Sequence, residues 1–216
     1  MKQGLTELVF ILDKSGSMGG LESDTIGGFN AMLAKQKSEP GEAVVTTALF
    51  DNGYKLLHDR INIQAVMPIT EREYQIGGGT ALVDAIGATI HKIRKAHKHT
   101  AEDYCPEKTL FVIITDGAEN SSRKYSAKNV KELIEHQQQK YGWEFIFLGA
   151  NIDAVQVAGH YGINPANAQN YHADGAGLSS SYAGITTAIS TFRDAGVIGN
   201  AWKDGIVRDF DSRNKK

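Results

Sequence analysis

Three oxygen-bearing side chains stand at alternating positions near the start of the chain: Asp13, Ser15 and Ser17. Gly16 lets the loop bend tightly between the last two, so all three can face one point. Carboxylate and hydroxyl oxygens are hard ligands suited to Mg²⁺, Mn²⁺ or Ca²⁺, and no Cys or His stands nearby to favour zinc. Asp and Ser also crowd into turns, where they hydrogen-bond local backbone, so this loop alone leaves both readings open. Two later segments bear on it. Gly77-Gly78-Gly79-Thr80 sets a hydroxyl behind three glycines. It reads either as a flexible lead-in with an N-cap, or as backbone that approaches a ligand closely while Thr80 points at it. It lacks the Gly-Lys-Ser/Thr ending of a nucleotide-binding P-loop. Thr109 to Thr115 is an apolar run that ends on Asp116-Gly117, a second acid at a turn.

Such residues work only if the elements carrying them bring them together. Leu8 to Leu12 is an unbroken apolar run, as expected of a central parallel strand covered on both faces. Asp13 then lies at its carboxyl end, the edge where loops converge on ligands in open α/β sheets. Leu21, Thr25, Phe29 and Met32 or Leu33 recur at helical spacing until Pro40-Gly41. Ala43 to Phe50 and Tyr54 to His58 form a hairpin signal, with Asn52-Gly53 expected to supply the positive backbone angles of a tight turn. Ile61 to Gln75 reads as a loop with a short helix.

A helix then places Leu82, Ala85, Ile86, Thr89, Ile90 and Ile93 on one face. Ser126 caps the next helix, which buries Val130, Leu133, Ile134 and Gln137 and closes at Tyr141-Gly142. Trp143 to Gly149 is a strand. A short helix with Ile152, Val155 and Ala158 inward follows, then a strand over Ala168 to His172. A long last helix carries Leu178, Tyr182, Ile185, Ile189 and Phe192, and Ser212 to Lys216 reads as frayed. The alternation predicts an α/β fold: a doubly wound, mostly parallel sheet with one antiparallel edge strand and helices on both faces.

The 216 residues suit one domain, with a core over about 6–196 and a C-terminal extension over about 197–216. Hydrophobic residues at 41% and a net charge of −2 describe a globular protein without the electrostatic footprint of a nucleic-acid or anionic-membrane binder. The basic run from His91 to His99 complements a helix dipole. His91 and His97 fall on different helix faces, which makes them surface histidines rather than a second metal site. The absence of a signal-peptide pattern or a spanning apolar run makes the expected location cytoplasmic. Cys105, the single cysteine, can form no internal disulfide and reads as a structural thiol.

Asp13-Lys14-Ser15-Gly16-Ser17, Thr80 and Asp116-Gly117 together resemble the metal-ion-dependent adhesion site of the von Willebrand factor A family. Thr115 to Asn120 is similar to the intracellular bacterial branch of that family. The resemblance implies a Rossmann-like sheet and a metal site of Asp13, Ser15, Ser17, Thr80 and Asp116. The expected ion is Mg²⁺, with Mn²⁺ or Ca²⁺ as alternatives. Mg²⁺ keeps waters that another oxygen can replace, so a partner protein's Asp or Glu would complete the coordination. The implied function is protein binding rather than turnover, beside an ATPase or within an assembly complex, with affinity switched by movement of the Thr80 loop and the last helix. Lys14 should point away from the ion, and Glu119 and Asn120 belong to the rim or the outer shell rather than to the direct ligands. Two other classes compete. A structural or scaffold subunit would use the ion only to fix loops. A Mg²⁺-dependent phosphotransferase or phosphatase of the haloacid-dehalogenase type would need a second Asp where Ser15 stands.

Overall fold

A computed structural model describes residues 1–214. Six strands form one sheet in the order β3-β2-β1-β4-β5-β6. They are β1 Lys2–Asp13, β2 Glu42–Phe50, β3 Tyr54–Asn62, β4 Pro106–Thr115, β5 Glu144–Gly149 and β6 Ala168–Asn170. Only β3 runs antiparallel to its neighbour. The apolar run of β1 thus lies at the centre, buried without a break from Leu5 to Asp13.

Strand alternation divides the core into two layers. Leu8, Phe10 and Leu12 of β1 join Leu110, Val112 and Ile114 of β4 on one face, under α1 (Glu22–Ser38) and α5 (Gly175–Ala195). Val9, Ile11, Phe111 and Ile113 point to the other face. There α2 (Leu82–Lys98), α3 (Ala127–Tyr141) and α4 (Ala154–His160) cover them. Phe111 stacks between Trp143 and Phe145 at 5.3 and 4.9 Å. Ser126 and Asn129 form the capping box of α3, and Gly142 ends that helix in the left-handed conformation, φ 63°.

Several expectations are corrected. Neither Asn52 nor Gly53 has a positive φ. The Asp51 side chain closes the turn instead, accepting from the Gly53 N–H at 2.6 Å. In α4 it is Ala154 and Ala158 that face inward, while Val155 is exposed. Ala154 and Ala158 stand four residues apart on one face of the helix, and Val155 lies off that face. The last strand stops at Asn170.

Ser212 to Asn214, expected to fray, belong to a helix. A 3-10 turn at Asn200–Lys203 leads into α6, Asp204–Asn214. Trp202 and Ile206 enter the core beside α5, close to Gly184. Arg213 pairs with Asp174, the residue that caps α5. Lys215 and Lys216, which the fraying expectation included, lie outside the described residues. Among the described residues no helix is long and apolar enough to cross a membrane.

Candidate metal centre

Parallel register sets the two acids side by side. Leu12 pairs with Ile114 across β1 and β4, so Asp13 and Thr115 fall level at the carboxyl edge. The Thr115 hydroxyl donates to Asp13 Oδ2 at 2.6 Å, and the Ser15 N–H donates to Asp13 Oδ1 at 2.7 Å. Ser17 Oγ lies 3.1 Å from Ser15 Oγ and donates to Asp116 Oδ1. Beside Gly117, a notional Cβ would stand 3.3 Å from Ser17 Oγ and 3.8 Å from Thr80 Oγ1, which places the Thr80 hydroxyl in the same cleft. All five predicted residues therefore converge. Asp13, Ser15, Thr80 and Asp116 are buried, whereas Ser17 and Gly16 are exposed.

The Thr80 loop is held by contacts that sequence spacing cannot reveal. Gly16 N–H donates to Gly78 O at 2.8 Å and Gly77 N–H to Lys14 O at 2.7 Å, lacing the two loops together. A side chain at Gly77 would overlap the Asp51 carboxylate, and one at Gly79 the Ser121 hydroxyl. Packing against protein, rather than flexibility or approach to a ligand, explains these two glycines.

Thr80 is not the N-cap of α2; Ala81 stands at that position without a capping side chain. The open N–H groups are met from afar. Glu119 accepts from the backbone of Val83, Ser121 and Ser122 and from the Ser122 hydroxyl, all at 2.7–2.8 Å. Asn120 Oδ1 accepts from Thr80 N–H at 2.9 Å, and Thr80 O accepts from the N–H groups of Asn120 and Ser121. Glu119 and Asn120 thus act as struts behind Thr80, the outer-shell place of the two expected for them. Asp84 completes the brace, accepting from the N–H groups of Arg123, Lys124 and Tyr125. Lys14 points away and pairs with Asp51.

Electrostatically the cleft is short of positive charge. Burial pushes the Asp13 carboxyl up from its ordinary range, against the bonds from Ser15 and Thr115 that lower it. Burial also raises Asp116, against the bond from Ser17, and the charge of Asp13 adds to the rise. Asp116 Oδ2 is buried with no hydrogen-bond partner among the described residues, which is costly for a carboxylate oxygen. Two more buried groups fix the strand ends. Tyr74 donates to Asp13 O, and Tyr171 donates to Thr115 O at 3.2 Å. The five residues supply only oxygen, and an unsatisfied carboxylate beside hydroxyls fits a hard divalent cation.

Elsewhere, no group of three His, Cys, Asp or Glu gathers as a metal-holding cluster among the described residues. His97 is not a free surface histidine. Its Nε2 lies 2.7 Å from Oε2 of the fully buried Glu7, which Arg60 also binds at 2.9 Å.

No family model and no curated relative matches the sequence. Solved structures do resemble the fold. Manganese-loaded TRAP protein from Plasmodium vivax superposes with a TM-score of 0.57 at 18% identity, over 80% of this chain and 70% of that one. A von Willebrand factor type A protein from Catenulispora acidiphila gives 0.59 at 15% identity, over 85% and 42%. Proximal thread matrix protein 1 from the mussel byssus, with a zinc-occupied metal-ion-dependent adhesion site, gives 0.59 at 12% identity, over 87% and 46%. The chain thus spans less than half the length of the latter two. It has the von Willebrand factor A type of fold: a mostly parallel six-stranded sheet with one antiparallel edge and helices on both faces.

Proposed function

We propose that Asp13, Ser15, Ser17, Thr80 and Asp116 hold one divalent cation, and that this cation receives an Asp or Glu carboxylate from a partner protein. The observation that carries the reading is Asp116 Oδ2, buried without a partner where a second carboxylate and three hydroxyls converge. With two carboxylates and neutral hydroxyls around it, a 2+ ion stays incompletely neutralised and attracts a further anion. Mg²⁺ is the expected ion, with Mn²⁺ or Ca²⁺ as alternatives. The manganese and zinc in two proteins of like fold add zinc to the ions worth testing. The chain's role is that of an interaction module, working beside an ATPase or in an assembly complex in the cytoplasm, rather than an enzyme.

A structural role for the ion is the second reading. Exposure of Ser17 and Gly16 at the mouth of the cleft favours the first, because an outside carboxylate has a path to the ion. Water-proton relaxation of the Mn²⁺-loaded protein separates the two. If the site serves interaction, acetate or a peptide with a single Glu displaces metal-bound water and lowers the relaxation enhancement. An enhancement that saturating carboxylate leaves unmoved would leave the ion a structural role.

A further inference from the structure

The sheet edge opposite the Asp13 loop carries a cavity of about 650 Å³, set between the C-terminal ends of α2 and α3 and the start of β4. That volume lies in the range of small-molecule sites. Its wall is aromatic: Trp143 stacks on Phe111, and His97 meets it edge-on at 5.3 Å. His97 is fixed from behind by Glu7. Gln137 lines the same cavity, fully buried, and among the described residues neither Oε1 nor Nε2 of its amide has a hydrogen-bond partner. An amide lacking both bonds is costly; turned toward the cavity, it would be satisfied by a ligand edge offering a donor beside an acceptor.

The rim supplies charge. Arg94, Lys98 and Lys140 line the mouth, and none of them forms a salt bridge among the described residues. Two acids share the lining, Glu102 and Glu107, of which Glu107 is held by the Gly4 N–H at 2.7 Å. Lys140 Nζ rests over the Tyr141 ring at 5.2 Å, but three cations without a carboxylate partner at one opening, in a chain of net charge −2, mark a place for an anion.

We propose that this cavity is a second ligand site, which takes a small anion bearing a planar heteroaromatic ring, of the nucleoside monophosphate class. The ring packs along the Trp143–His97 wall, the buried Gln137 amide turns toward the cavity to meet its polar edge, and the anionic group meets Arg94, Lys98 and Lys140. The site is independent of the metal cleft and is tested with a chelator present.

Titration calorimetry with AMP, GMP, CMP and UMP, with the four corresponding nucleosides and with inorganic phosphate, tests this on the whole chain. At least one nucleotide should bind one to one, with its nucleoside and phosphate each weaker by about tenfold or more, the loss of one charge-assisted contact. Arg94→Ala/Lys98→Ala, both exposed positions, should weaken the nucleotide by about tenfold or more, while Thr80→Ala should leave it unchanged. In amide NMR spectra the Trp143 indole N–H should shift and that of Trp202 should not. Failure of all four nucleotides to bind at millimolar concentration overturns the proposal. So does binding that the double variant leaves unaltered, or phosphate binding as tightly as the nucleotide.

Discussion

Asp116 is the residue on which the metal reading makes its sharpest demand. Its carboxyl is raised by burial, and Asp13 adds like charge. A raised folded pKa means that the folded protein holds a proton more tightly than the unfolded chain does. Above that pKa both states are ionised and the native state carries the repulsion. Stability therefore increases as pH falls through the folded value toward the ordinary 3.8. Two outcomes follow for metal-stripped protein. At neutral pH Asp116→Asn should raise the thermal midpoint by roughly 2–4 °C, the shift that ~1 kcal/mol produces in a chain of this size. That advantage should vanish in acid, where protonation does what the amide does; calorimetric melts from pH 7 to pH 4 measure it. A variant less stable than wild type at neutral pH would contradict the account.

At the scale of elements, the strands that deliver the two acids were legible because each is an apolar run ending on Asp at a turn. The helices were legible wherever Leu, Ile and Phe recur at helical spacing. The brace around Thr80 was not, since it joins residues about forty positions apart: Glu119 to Val83, Asn120 to Thr80, Asp84 to Arg123. No local pattern predicts such a bond. Glu119→Ala leaves Val83, Ser121 and Ser122 N–H groups unmet and should cost about 1–3 kcal/mol in denaturant unfolding. Because α2 then starts without support, it should also weaken metal binding although Glu119 touches no ion in this account. Gly77→Ala forces a methyl onto Asp51, displaces the laced loops and should weaken metal binding as well. Unchanged metal affinity in both variants would show that the brace does not position Thr80.

Across the whole molecule, the least legible part lies beyond α5. The segment Asp204–Asn214 is mostly polar with Ile206 its one buried residue, so it gives a weak helical signal. Its anchors are distant: Trp202 and Ile206 against α5, and Arg213 on Asp174. The C-terminal end of α6 therefore clasps the start of α5 next to the metal edge, where the His172 ring stacks on Phe210 at 4.6 Å. Trp202→Ala should destabilise by about 3–5 kcal/mol, the range for large aromatic truncations in a core. A thermal midpoint within 2 °C of wild type (~1 kcal/mol or less) would place Trp202 outside the cooperative core.

Everything proposed for the carboxyl edge of the sheet depends on one hard divalent cation held by Asp13, Ser15, Ser17, Thr80 and Asp116. Titration calorimetry of metal-stripped protein with Mg²⁺, Mn²⁺, Ca²⁺ and Zn²⁺, comparing wild type with Asp13→Ala and Thr80→Ala, tests it directly. Binding should be saturable at one site and weakened about tenfold or more by each substitution. Binding indifferent to both substitutions, or no binding of any of the four ions, would contradict it.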